Sequence, residues 1–264
     1  MTRRRCIADT WNEATAALHG DQAQHLSRVL RAQPGMEFDV VAGGRAWLAR
    51  IASIDRDSVH FILLQELETA PALPVTLLLS IFKFDRMEWA IEKAVELGCS
   101  RIVPVLAERT EKHLAQAAAK RVERWRRLAL EAAKQSRRSD LPEIGEPTRL
   151  AAILAPEVPA SSPQQPAAKP LRILLSETEE DQPLLRILQQ SASEAAAPSG
   201  VLLAVGPEGG WTGGEIALFM RADWHSASLG PRILRVETAV IAALAIVNAS
   251  LAMSFGDTAR QPPA

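Results

Sequence analysis

Two glycine-bearing stretches hold the residues of this 264-residue chain best suited to chemistry. The first is Val201-Leu-Leu-Ala-Val-Gly-Pro-Glu-Gly-Gly-Trp-Thr-Gly-Gly-Glu215, and the second is Gly230-Pro-Arg-Ile-Leu-Arg-Val-Glu-Thr238. Together they offer backbone N–H groups at Gly206, Gly209 and Gly210, the carboxylates of Glu208 and Glu237, and the guanidiniums of Arg232 and Arg235. Glycine reaches positive φ and lets a ligand approach the backbone closely, while Pro207 stiffens the turn. Neither stretch reads G-x-G-x-x-G or G-x-x-x-x-G-K-[ST], so a dinucleotide or P-loop nucleotide site is not supported. Donors, carboxylates and arginines in one place suit a nucleoside-like ligand better than a metal. The five histidines, His19, His25, His60, His113 and His225, lack ligand spacing. No Gly-x-Ser-x-Gly nucleophile signature appears.

Such loops need a frame. Val201 to Val205 is an unbroken apolar run, as in a parallel strand buried on both faces. Thr212 and Glu215 have the spacing of a capping box that opens the next helix. A strand, a glycine loop and a helix in that order is where open α/β sheets bind ligands. If both loops leave neighbouring strands at one sheet edge, they share a crevice.

The rest of the chain falls into two regimes. Residues 1 to about 70 read as mostly β: a strand near Arg4 to Ala8, a short helix from Asp21 to Leu30, and a hairpin pattern from Met36 to Glu66 with turns at Gly43-Gly44 and Asp55 to Ser58. A small barrel with one helix fits, and Arg28 and Arg31 share a face of that helix. Glu68 to Pro74 reads as a linker. Beyond it strands and helices alternate: Val75 to Phe82, a helix from Asp85 to Leu97 stopped by Gly98, then Arg101 to Leu106. The domains are expected at 1–70 and 71–264. Pro156 to Pro170 holds five prolines and reads as a long loop.

Composition is that of a soluble globular protein, with 47% hydrophobic and 23% charged residues and a net charge of −1. Charge is unevenly placed: Arg109 to Arg138 holds ten Lys or Arg against three Glu. On a helical wheel Lys120, Arg124, Arg127, Lys134 and Arg138 form one stripe, opposite Val122, Trp125, Ala129, Ala132 and Ala133. An anionic partner, RNA above all, would explain the stripe, and a solvated helix face would explain it too. Cys6 and Cys99 form neither a disulfide framework nor a metal pair, and Cys99 reads as a core thiol. The N-terminus lacks the apolar region of a signal peptide, so a cytoplasmic location is expected. Thr238 to Phe255 carries no charge but is short and interrupted by Asn248, Ser250 and Ser254, so it reads as a buried helix, covered in part by a second subunit.

The residues also carry a resemblance. Gly206-Pro-Glu-Gly-Gly-Trp-Thr-Gly-Gly-Glu-Ile216, paired with Leu229-Gly-Pro-Arg-Ile-Leu-Arg-Val-Glu-Thr238, resembles the signature of the RsmE family of 16S rRNA uracil-N3 methyltransferases. His25-Leu-Ser-Arg-Val-Leu-Arg31, Arg86-Met-Glu, Glu96-Leu-Gly98 and Pro104 to Arg109 are similar to that family in the same order. One segment departs: the family usually reads Glu-Gln-Ser/Cys-Gly-Arg where this chain has Lys134-Gln-Ser-Arg-Arg138.

The resemblance implies an α/β fold: a SPOUT-type domain with a C-terminal trefoil knot, an N-terminal PUA-like RNA-binding β-barrel, and a homodimer. It also implies S-adenosylmethionine as cofactor, held by Leu203, Gly206, Pro207, Glu208, Gly209, Gly210, Leu229, Gly230, Ile233, Leu234 and Arg235, with no metal. RNA would be met by Arg4, Arg5, Arg28, Arg31, Lys120, Arg124, Arg127, Lys134 and Arg138. An imide N3 is a poor nucleophile until it loses its proton, so cations belong where the anion forms. Arg232 or Arg235, joined by Arg4 or Arg5, are expected to face the uracil oxygens. Glu208 or Glu237 would accept the proton or orient an arginine, and the orienting role fits better because a carboxylate beside an arginine is a weak base. Relatives that methylate a ribose 2′-hydroxyl usually carry a Ser-Leu-Asn turn where this chain has Leu229 to Arg235. A non-catalytic RNA-binding protein on the same scaffold would not bind the cofactor.

Overall fold

The computed structural model describes residues 5–67, 74–136, 138, 140, 142–155, 169–193 and 198–258. Arg4, most of the expected linker at Glu68 to Pro74, and most of the proline-rich stretch from Pro156 to Pro170 lie outside the described residues. The chain forms two compact units, Met1–Ala72 with Ala133–Leu141, and Leu73–Ala132 with Pro142–Ala264.

The first unit is built on a mixed six-stranded sheet in the order β1-β4-β5-β6-β3-β2. Its strands are β1 (Arg5–Ile7), β2 (Thr10–Trp11), β3 (Thr15–His19), β4 (Glu37–Ala42), β5 (Arg45–Ile54) and β6 (Ser58–Glu66). The β4-β5-β6 meander follows the expected hairpins, and irregularities between Leu48 and Ala49 and between Ile51 and Ser53 bend β5. The β2-β3 hairpin was not expected. Its turn is set by Asn12, whose Oδ1 accepts from the N–H of Ala14 and of Thr15, a side-chain signal that hydrophobic alternation does not carry. The helix expected over 21–30 is α1 (Gly20–Gln24) running into a wider π turn over His25–Val29, and Arg31 ends it at φ 51°. Leu18, Val40, Ile51, Val59 and Phe61 fill the core, with Phe38 edge-on to Phe61.

The second unit is a parallel sheet flanked by helices. In chain order residues 74–258 hold β7 (Val75–Ser80), α2 (Phe84–Glu96), β8 (Arg101–Leu106), α3 (Lys112–Ala117), α4 (Val122–Gln135), β9 (Glu143–Ile144), β10 (Thr148–Arg149), α5 (Leu150–Ile153), β11 (Leu171–Leu175), α6 (Leu184–Ala192), β12 (Val201–Val205), α7 (Gly213–Arg221), β13 (His225–Ala227) and α8 (Val236–Thr258). The strand order is β10-β8-β7-β12-β11-β13, with β9 also on β8, and every pairing is parallel. The carboxyl ends of β7, β12, β11 and β13 therefore share one edge. β12 lies between β7 and β11 and is buried at Val201, Leu203, Ala204 and Val205, as its apolar run predicts. The two glycine loops do not leave adjacent strands, because β11 separates β12 from β13.

Gly98, at φ 86°, ends α2, and Cys99 is a buried thiol. α8 packs against α2, α6 and β12. Among the described residues no helix is long and apolar enough to cross a membrane.

Candidate active site

The carboxyl edge of the parallel sheet opens into a cleft of about 810 Å³, within the size range of small-ligand sites. Three loops wall it. The loop after β12 contributes Gly206, Pro207, Glu208, Gly210 and Trp211, and the loop after β13 contributes Leu229, Gly230, Arg232, Ile233, Leu234 and Arg235, followed by Glu237 in the first turn of α8. The third leaves β11 and brings Ser176, Glu177, Glu179 and Glu180. Glu208 and Arg235, 27 positions apart in the sequence by their numbers, thus face one space.

Local contacts fix the first loop. The Trp211 indole N–H donates to the Leu175 carbonyl at 3.2 Å, folding the ring beneath the loop. A Cβ at Gly206 would stand 3.1 Å from that indole nitrogen, which leaves little room for a side chain. Trp211 continues into an edge-on aromatic stack with Phe219 and Trp224, ring centroids 4.9 Å apart at each step. The Arg109 guanidinium donates to the carbonyls of Gly209 and Trp211. The capping box forms as the spacing predicts: the Glu215 N–H donates to Thr212 Oγ1 at 3.2 Å, and Glu215 Oε2 accepts from the Thr212 N–H at 2.9 Å. Gly210 takes φ 70°, and a Cβ there would fall on the Glu177 carboxylate. The loop is a backbone cradle that a side chain at position 210 would fill.

Leu203 and Gly209 are not among the residues that line the cleft. Leu203 is fully buried in β12 and does not line the cleft, because a central parallel strand sends both faces into the core. Gly209 does not line it either, and its carbonyl is taken by Arg109. Among the four expected catalytic residues, Arg232 and Arg235 are exposed at the cleft, Glu208 is exposed, and Glu237 is buried at 7% exposure. Arg86, from the first turn of α2, lies among them, with Nη1 3.6 Å from Glu208 Oε1 and 3.9 Å from Glu237 Oε1. Neither Arg86 nor the β11 loop was singled out for the site from sequence. Arg86 stands at a strand-to-helix junction like the two glycine loops, but no glycine marks it.

The cationic helix is less uniform than its wheel suggests. Val122, Trp125, Ala129, Ala132 and Ala133 are buried as expected. α4 ends at Gln135, however, so Arg138 lies beyond it, buried and paired with Asp140. Arg124 makes a two-pronged pair with Glu88 at 2.7 and 2.8 Å, which holds its guanidinium above its ordinary pKa. Arg121 sits over the Phe84 ring at 4.8 Å. Lys120 and Arg127 are exposed, Lys134 is half-buried, and Arg28 and Arg31 are exposed on the first unit. Arg5 lies in β1.

Against known families, residues 69–248 match an RNA methyltransferase domain and residues 18–64 an RNA methyltransferase PUA domain. A ribosomal RNA small subunit methyltransferase E of Synechocystis is 34% identical over 240 residues, covering 90% of this chain and 74% of that protein. The chain belongs to this family. The Bacillus subtilis member is 27% identical over 247 residues, 92% of this chain and 93% of its own. The crystal structure of the family member from Neisseria gonorrhoeae bound to S-adenosyl methionine superposes with a TM-score of 0.73 at 28% identity, covering 94% of this chain and 98% of that one. A methyltransferase from Legionella pneumophila in complex with the same cofactor gives 0.70 at 26% identity, covering 95% and 98%.

Proposed function

We propose that this chain methylates N3 of a uridine in the 16S rRNA of the small ribosomal subunit, using S-adenosylmethionine. Family membership supports the coarser statement, that it is an S-adenosylmethionine-dependent methyltransferase of small-subunit ribosomal RNA. The observation that supports the reading is the cleft where the Gly206–Trp211 loop, the Leu229–Arg235 loop and Arg86 converge.

The cofactor fits the residues present. Gly206, Pro207, Glu208 and Gly210 would hold it with Leu229, Gly230, Ile233, Leu234 and Arg235, largely through backbone groups, in a cradle that a Cβ at Gly210 would obstruct. When bound, S-adenosylmethionine supplies an electrophilic methyl group on a sulfonium. The chain's own residues prepare the nucleophile. Arg232 and Arg235, exposed and without ion pairs among the described residues, face the uracil oxygens and favour loss of the N3 proton. Glu208 or Glu237 orients an arginine, and the one within ion-pair reach of both is Arg86.

The N-terminal residues 1–70 act as the RNA-binding barrel through Arg4, Arg5, Arg28 and Arg31, and residues 71–264 as the catalytic domain. Lys120, Arg124, Arg127 and Lys134 meet RNA phosphates, with Lys120 and Arg127 the most available, while Arg138 is buried against Asp140. The C-terminal chain threads a SPOUT trefoil knot, and a homodimer covers the apolar face of α8, where Ala245 is exposed and Ile241 and Ile246 are half-buried. The protein works in the cytoplasm.

Arg232→Ala tests the site. Turnover on small subunits lacking the modification should disappear while calorimetry shows S-adenosylmethionine binding nearly unchanged. Unchanged turnover refutes the assignment of Arg232, and failure of the wild-type protein to bind the cofactor refutes the enzyme reading.

A further inference from the structure

We infer that Arg86 is the cation on which the uracil anion forms, its guanidinium lining the cleft between Glu208 and Glu237 and meeting an oxygen beside N3. The inference rests on the uracil-N3 reading above.

Three observations carry it. First, Arg86 makes no hydrogen bond among the described residues: its two carboxylate neighbours stand at 3.6 and 3.9 Å, in ion-pair range but beyond a good N–H···O distance. Its charge is held in place while its five N–H donors stay available. Second, Arg86 is half-buried, whereas Arg232 and Arg235 are exposed. A cation partly withdrawn from water stabilises a nearby anion more than a solvated one does. Third, Glu237 is buried, and its Oε2 has no hydrogen-bond partner among the described residues. A buried carboxylate so poorly satisfied is costly unless it has work to do, and its nearby cation is Arg86.

The chemistry asks for such a group. When the N3–H bond breaks, its electron pair stays on N3 and the proton passes to water at the open cleft. The negative charge spreads over N3 and the two flanking carbonyl oxygens, so a good site needs a cation on each side of N3. Arg232 or Arg235 serves one oxygen from the β13 loop, and Arg86 serves the other from α2. The N3–C bond then forms from the retained pair as the donor's C–S bond breaks onto sulfur. Glu208 and Glu237 are positioning residues for Arg86.

The test is a single-turnover pH–rate profile of wild type, Arg86→Gln and Arg86→Lys on small subunits lacking the modification and reconstituted with either uridine or 5-fluorouridine, whose N3 ionises more easily. Cofactor affinity by calorimetry and a thermal melt are measured on the same preparations. Arg86→Gln should lose ~100-fold or more at neutral pH, the scale for removing one charge-stabilising donor. That deficit should shrink as pH rises and shrink again with 5-fluorouridine, with cofactor affinity and melting temperature near wild type and Arg86→Lys in between. A deficit equal at every pH and for both bases would overturn the inference, as would a loss confined to cofactor affinity. If Arg86→Gln melts early, the Arg86→Lys profile decides by the same criteria. Wild-type protein that makes no 3-methyluridine refutes the parent reading instead, which keeps the two failures apart.

Discussion

Glu215 Oε1 accepts a hydrogen bond from the backbone N–H of Glu108 at 2.8 Å, across 107 residues of sequence. The other carboxylate oxygen closes the capping box of α7, so one buried side chain, 2% exposed, ties the loop after β8 to the glycine loop after β12. Glu215→Ala removes the cap and strands a donor, which should cost about 1–3 kcal/mol. A denaturant midpoint unchanged from wild type would show that this link contributes nothing.

Gly210 allows a sharper prediction. Alanine there is strained by φ 70° at ~1–2 kcal/mol and would also displace the exposed Glu177 side chain. Cofactor affinity by calorimetry should fall roughly tenfold or more if the bound loop keeps its present form. Gly213, with nothing within 4 Å of an added Cβ, is the control, and Gly213→Ala should bind the cofactor like wild type.

Arg109 acts on the cofactor loop from outside the cleft. Its donors hold the carbonyls of Gly209 and Trp211, so Arg109→Met should weaken cofactor binding and leave the affinity for RNA unaltered. Equal losses in both would mean that the substitution unsettles more than the loop.

The cations of the α4 region should differ in how they meet RNA. Arg127→Ala should reduce the slope of log K against log salt by about 1, the effect of one lost phosphate contact. Arg124→Ala should reduce it less, because Glu88 already neutralises that guanidinium. Identical slopes for the two variants would contradict this ranking.

Much of this site can be read from the chain before any coordinates, and the reasons are local. The apolar run Val201–Val205, the capping pair Thr212 and Glu215, and the helix stop at Gly98 each follow from backbone chemistry within a few residues. What escapes is set by the order of strands. Nothing in the sequence near Ser176 says that β11 will stand between β12 and β13 and bring Glu177 against Gly210. Arg86 looks like an ordinary cation at a helix start until the fold places it beside Glu208 and Glu237. Leu203, which only the family resemblance brings to the cofactor, has its side chain buried in β12. The helical wheel likewise carries Arg138 onto a stripe that the helix does not reach.

Delivery of a methyl group to N3 of a uridine from this cleft is open to direct measurement. Incubating the protein with methyl-labelled S-adenosylmethionine and unmodified small ribosomal subunits, then digesting the 16S rRNA to nucleosides for mass spectrometry, tests it directly. Label is expected in 3-methyluridine at a single position. Label in a 2′-O-methylated ribose, or none in the rRNA, would contradict it.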